Sequence, residues 1–212
     1  MLCEENLIMN FGDIIQFGKY EWKVIDKEDD VVLLLTTTII DQRDYHDKNE
    51  PVSWGNSSLR RYLNNEFLEN FSETEKSKIV PVSNNNRGNP WYHTKGSSDT
   101  LDKVFILNLD EVVRIYFKES DELLDNPGLN QRYWFERKDP NNIYRRSTYL
   151  DQSWWYWVRT PGKHDRTACY IHGDGNIGIQ GNIVSKRKSN VIHPITNSNK
   201  GGVRPTMWIR YK

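Results

Sequence analysis

Trp154-Trp155-Tyr156-Trp157-Val158-Arg159-Thr160-Pro161-Gly162 is the stretch whose reading decides the fold. Successive side chains of a strand leave on opposite faces. Trp155 and Trp157 therefore share one face, and Trp154, Tyr156 and Val158 share the other. Large aromatics on both faces require cover on both sides or half-exposure. Each ring can bury roughly 150–250 Å², enough to anchor a core. Pro161 donates no ladder hydrogen bond and Gly162 permits positive φ, so the strand stops there.

Before this strand, Asp13 to Phe17 reads as a short strand and Tyr20 to Ile25 alternates apolar and charged residues, the half-buried pattern. Val31 to Thr37 is continuously apolar and β-branched at both ends, a strand buried on both faces. Together they predict an antiparallel meander. Asp41 to Pro51 is polar and reads as a loop. Ser57 or Asn56 caps a helix that puts Leu59, Tyr62, Leu63 and Phe67 on one face. Ser72-Glu73-Thr74-Glu75 is a capping box, and Asn108-Leu109-Asp110-Glu111 is a further cap after a strand at Val104 to Leu107. Beyond the aromatic strand, Ala168 to Ile171 forms a strand ended by Asp174-Gly175. Ile177 to Ile179 and Ile183-Val184 fit a hairpin of short strands.

The composition limits the partners. The chain has 212 residues, with 29 Lys plus Arg against 29 Asp plus Glu. Zero net charge argues against non-specific nucleic-acid binding and against a polybasic membrane anchor. Lys186-Arg187-Lys188 reads as a solvated loop. Eight Trp and eleven Tyr point to an aromatic core. Cys3 and Cys169 are too few for a disulfide framework and lack metal-binding spacing. No run approaches the ~20 apolar residues of a membrane span. Met1 to Met9 is acidic and unlike a secretory signal, and Met9 is an alternative start. The expectation is a cytoplasmic chain with a tail over 1–10 and a single domain over 11–212.

Long ordered loops often carry function. Val82 to Thr100 is rich in Asn, Gly and Ser and holds Trp91, Tyr92 and His93. Glu119 to Asn142 is charged and holds Tyr133-Trp134-Phe135. Aromatics in such segments either pack back on the body or face a ligand. Exposed Trp and Tyr make good anchors for partners and sugars. The candidate ligand-binding residues are therefore Trp91, Tyr92, Tyr133, Trp134 and Trp154, with Asp174 and Asn176 beside them. Asp174-Gly175-Asn176 offers oxygen ligands for calcium but lacks the full loop and distant Glu, and a turn explains it as well. Trp157, Arg159, Arg204 and Trp208 read as structural. A buried Arg must be paired, so Arg159 and Arg204 are both expected to meet acids such as Asp102 or Glu111.

Several motifs occur together in a fixed order. They are Phe17-Gly18-Lys19-Tyr20-Glu21-Trp22, Trp54 with Ser58-Leu59-Arg60 and Leu63-Asn64, Asp102-Lys103-Val104-Phe105, Trp157-Val158-Arg159-Thr160-Pro161-Gly162, and Gly202-Val203-Arg204-Pro205-Thr206-Met207-Trp208. In this order the chain resembles a bacterial group of uncharacterised-function domains with a C-type-lectin-like fold, the variant shared with formylglycine-generating enzymes. The resemblance covers nearly the whole chain. It implies an α+β, C-type-lectin-like fold, with short helices packed on a twisted antiparallel sheet and long loops. It implies no activity. Some relatives of this fold diversify a C-terminal ligand-binding surface, which here would fall between Lys163 and Lys200.

Oxidation of the formylglycine type resembles a copper-and-thiol mechanism, for which Cys3 in a tail and Cys169 in a strand are badly placed. A hydrolase needs a nucleophile with His and acid in reach. No Gly-x-Ser-x-Gly elbow is present, and the five His make no metal pair. No cofactor or metal is expected. The reading is a non-catalytic ligand- or protein-binding domain for a protein, peptide or carbohydrate. The alternative is an enzyme or a diverged formylglycine-generating-enzyme-like scaffold with an unrecognised site.

Overall fold

The computed structural model describes residues 9–117, 124, 139–185 and 190–211. The alternating N-terminal segments form β1 (Ile14–Phe17), β2 (Tyr20–Glu28) and β3 (Val31–Thr36), and β3 is buried on both faces as its composition requires. β4 (Asp41–Arg43) lies in the segment read as a loop. Its polar sequence suits a sheet edge, where charged side chains blunt further pairing. A 3₁₀ turn at Trp54–Asn56 leads into α1 (Ser58–Asn64), capped by Ser57 Oγ, which accepts the Arg60 N–H at 3.1 Å.

The single helix face expected through Phe67 is broken. Phe67 belongs to a separate 3₁₀ segment, Glu66–Asn70. The cause is the Asn64-Asn65 pair, whose side chains compete for nearby backbone groups. Asn64 bonds the Val104 carbonyl (2.8 Å) and the Lys103 N–H (2.8 Å), and Asn65 bonds the Arg61 carbonyl. The capping box at Ser72 and Glu75 opens α2 (Glu73–Lys78).

β5 (Ile79–Val80), β6 (Val82–Asn84) and β7 (Thr100–Asp102) follow. Val104 to Leu107 is buried but is no strand, joining Thr206 only through a bridge at Phe105. Side chains take the place of a ladder there: Asn64 bonds the Val104 carbonyl and Arg159 the Ile106 carbonyl. A π-helical turn, Glu111–Ile115, precedes α3 (Asn142–Arg145). The chain ends in β8 (Thr148–Tyr149), β9 (Gln152–Ser153), β10 (Tyr156–Pro161), β11 (Thr167–Ile171), β12 (Ile177–Ile183), β13 (Gly201–Val203) and β14 (Thr206–Arg210). β12 is one strand where a hairpin was expected.

The architecture is α+β, with few short helices and two open five-stranded sheets where one antiparallel sheet was expected. The first has the order β1-β2-β3-β14-β5, and the second β12-β11-β10-β13-β4. Within the second, β10 and β13 run parallel, with Tyr156 opposite Gly202. Gly201 and Gly202 make this approach possible. An added methyl at Gly202 would lie 2.7 Å from Ile39, and one at Gly201 2.7 Å from the Trp155 ring. The Arg204-Pro205 step then carries the chain from the second sheet into the first. Trp154 to Val158 are all buried, and Trp155 stacks edge-on against Trp157 at 4.8 Å, so the aromatic stretch is covered on both sides. One continuous apolar cluster runs from Met9 to Ile209. Among the described residues no helix is long and apolar enough to cross a membrane.

Candidate functional site

The polar interior is organised by arginines. Arg159 points inward from β10 and donates to both oxygens of Glu111 (2.7 and 2.8 Å) and to the Ile106 carbonyl (2.8 Å). Glu111 opens the π-helical turn, where its carboxylate accepts the Asn108 N–H and Asn108 Oδ1 accepts the Glu111 N–H. One acid therefore caps a turn and neutralises a buried cation. Arg204 differs from expectation. Among the described residues it meets no carboxylate, and it donates to the Thr36 carbonyl at 3.0 Å while lying over the Tyr156 and Phe117 rings. Its place at the crossover between sheets surrounds it with carbonyl ends and aromatic faces, which stabilise a cation without an anion. Asp102 pairs instead with Arg60 at 2.5 Å and also receives Trp54 Nε1, Asn84 Nδ2 and Thr100 Oγ1. Trp157 is buried with its indole N–H on the Arg43 carbonyl, and Trp208 is half-buried on β14.

Of the ligand-binding candidates, Trp91 and Trp154 are committed to the interior. Their indole N–H groups donate to the Leu124 and Lys200 carbonyls. Trp91 is drawn in by Asn89, whose amide donates to the Pro161 and Ile179 carbonyls and whose oxygen accepts the Trp91 and Tyr92 N–H groups. Tyr92 is half-exposed with the Lys163 ammonium 5.7 Å from its ring. Asp174 is half-exposed and accepts the Asn176 N–H, while Asn176 is buried, the arrangement of a turn. Tyr133, Trp134 and Lys186 to Lys188 lie outside the described residues.

Cys169, the Ser58–His46 pair and His193 are held within the fold. Cys169 is buried, and burial pushes its thiol well above the ordinary range. Ser58, His46 and Glu50 form a string that sequence inspection misses, with Ser58 Oγ 3.0 Å from His46 Nδ1 and His46 Nε2 3.2 Å from Glu50. His46 Nδ1 accepts the Ser58 N–H, so Nε2 carries the proton. Ser58 Oγ already accepts from the Asp47 N–H and from Arg61. The first-turn N–H groups of α1 are also bonded, Leu59 to Tyr45 and Arg60 to Ser57. None is left to hold a developing oxyanion. The string ties a loop to a helix. His193 is likewise structural, fully buried and edge-on to Trp154 at 5.1 Å. Among the described residues, no three His, Cys, Asp or Glu side chains are grouped to hold a metal.

A small void of about 10 Å³ lies beneath residues 95–97. Arg159 and Asn86 are among its lining residues, and Arg159 Nε and Asn86 Oδ1 are buried without a hydrogen-bond partner among the described residues.

The larger opening is a cleft of about 540 Å³ lined by Phe11, Lys23, Ile25, Arg114, Ile115, Tyr116, Phe117 and Tyr144. Lys23 and Ile25 come from β2. The register slips between Val24 and Asp26, a bulge that leaves the consecutive Val24 and Ile25 both buried. The π-helical turn supplies Arg114 and Ile115, and α3 supplies Tyr144. Single π-turns are frequent at functional sites. Ile25 and Phe117 form a buried floor, while Phe11, Ile115 and Tyr144 are 67%, 59% and 48% exposed. Burial foremost, with Glu111 and Asp26 adding, pushes the Tyr116 hydroxyl far above its ordinary range. Arg114 meets Asp110 at 3.4 Å, and no carboxylate lines the cleft. Sequence reading missed this site because its walls come from four separated segments. The one local signal was Val112 to Phe117, an apolar run with too little polar face for a surface helix.

These features define an α+β fold built on two five-stranded sheets, with an apolar cleft and a polar interior held by buried ion pairs. The chain belongs to the domain family DUF6273, a domain of unknown function, whose model matches residues 29–211. No curated protein and no solved structure matches the chain.

Proposed function

We infer that this is a non-catalytic ligand-binding domain whose binding surface is the cleft between β2 and the π-helical turn. The observation that carries the reading is the pairing of a buried apolar floor with three large, exposed apolar side chains around an opening of ligand size. The thiol, serine and imidazoles described above are bonded into the fold, which favours binding over the alternative of a diverged formylglycine-generating-enzyme-like scaffold. A C-type-lectin-like arrangement is our reading of the short helices, the long loops and the return of the last strand beside β3. Tyr92 and Asp174, each half-exposed, are further candidate contacts for a protein or peptide partner. Zero net charge disfavours nucleic acid and an anionic membrane surface as partners, and our reading of the chain as cytoplasmic rests on its acidic, signal-unlike first residues.

The test is titration of the full chain with the neutral dye N-phenyl-1-naphthylamine, followed by its fluorescence. Ile115→Asp changes an exposed side chain and should abolish binding while leaving the melting temperature in place. Binding that survives Ile115→Asp would sink the assignment.

A further inference from the structure

We propose that the cleft takes a small apolar molecule carrying one anionic head group. This rests on the cleft being the binding surface and names the chemistry of its ligand. The charged groups on its wall are Lys23 and Arg114, with no carboxylate among the lining residues. Arg114 is partly balanced by Asp110. Lys23 is exposed and makes no ion pair among the described residues. It stands opposite Ile14 in the β1–β2 ladder, and Ile14 is itself exposed. An ammonium therefore projects beside an apolar wall, matching a ligand with a greasy body and a negative end. A cationic ligand would find no carboxylate among the lining residues, the nearby Asp110 and Asp26 being engaged by Arg114 and Tyr116.

Other classes fit less well. A carbohydrate is held by amides and carboxylates that pair with vicinal hydroxyls, and the lining has neither. Its hydroxyls are the two of Tyr116 and Tyr144, and that of Tyr116 is hydrogen-bonded to Asp26. An extended peptide is held by an open strand edge. β2 is paired with β3 from Trp22 to Glu28 and with β1 from Tyr20 to Lys23, so the edge without a β1 partner beside the cleft is a few residues long. The volume lies within the range of small-molecule sites.

A matched pair of dyes tests the head group: N-phenyl-1-naphthylamine and its sulfonated counterpart, 1-anilinonaphthalene-8-sulfonate. On the full chain the sulfonate should bind about fivefold more tightly at low salt, and salt should erode that advantage. Lys23→Glu should bring the sulfonate-to-amine affinity ratio down to about one or below, whatever it does to the amine alone. Equal affinities in the unaltered chain, or a preference untouched by Lys23→Glu, overturn the anionic assignment. If the amine binds and Ile115→Asp abolishes it while the sulfonate gains nothing, the cleft survives and only the head group falls. If neither dye binds, both readings fall.

Discussion

Replacing Arg159 with methionine keeps most of the side-chain length and removes the guanidinium. Three hydrogen bonds go, two to Glu111 and one to the Ile106 carbonyl. Removing one partner of a buried pair costs about 3–5 kcal/mol, because the other charge stays behind. Glu111 keeps the Asn108 N–H and slight solvent contact, which pulls towards the lower end. The stranded Ile106 carbonyl adds about 1 kcal/mol or more. A loss of about 4 kcal/mol should lower the melting temperature by roughly 10 °C in a chain of this size. Urea unfolding of Arg159→Met, Glu111→Gln and the double variant measures it. Neutralising Glu111 relieves the abandoned charge, so the double variant should lose about 2 kcal/mol less than the sum of the singles. A loss under about 1 kcal/mol in Arg159→Met, or strict additivity, would refute the reasoning.

Gly175 sits at φ +87, and an added methyl would run into the Asn142 carbonyl oxygen. Gly175→Ala should cost about 2–4 kcal/mol in urea unfolding, combining left-handed strain with overpacking; a near-neutral result would mean that α3 moves freely away. The Ser72 N–H and hydroxyl, followed by the Gly18 N–H, hold the Glu75 carboxyl below its ordinary value. That contribution is complete above the unfolded-state value of about 4.3 and disappears as pH falls through the lower folded-state value. The melting-temperature gap between the unaltered chain and Glu75→Gln should therefore be largest near neutrality and close in acid, and a constant gap would contradict it. In a Cys3→Ser variant, Cys169 should resist a disulfide reagent at about pH 8 until denaturant is added; rapid reaction of the folded chain would disprove its burial.

How much of this was legible from sequence depended on the range of the interaction. The first three strands, the Ser72 box and the Asn108 cap each rest on contacts a few residues apart, and the alternation or capping chemistry declared them. The aromatic stretch declared a strand that needs cover on both sides or half-exposure, and Arg159 its need for an acid. Arg204 looked equivalent because both arginines follow an apolar residue near a proline, yet its stabilisation comes from carbonyls and ring faces that sequence does not mark. The second sheet was hidden because Tyr156 pairs with Gly202 across an intervening hairpin and a long loop, and because β4 is wholly polar. Trp91 and Trp154, in or beside irregular segments, left packing on the body and facing a ligand both open. Asn89, a loop residue without periodicity, is what draws Trp91 inward. The cleft was invisible since Phe11, Lys23, Ile115 and Tyr144 meet only in the folded chain.

The most direct test of the account is amide and methyl chemical-shift mapping of the full chain titrated with N-phenyl-1-naphthylamine. The account expects saturable shifts at Ile25, Ile115, Phe117 and Tyr144, with Tyr92 and Asp174 silent. Shifts gathered around Tyr92 and Asp174, or none at the cleft at saturating dye, would contradict it.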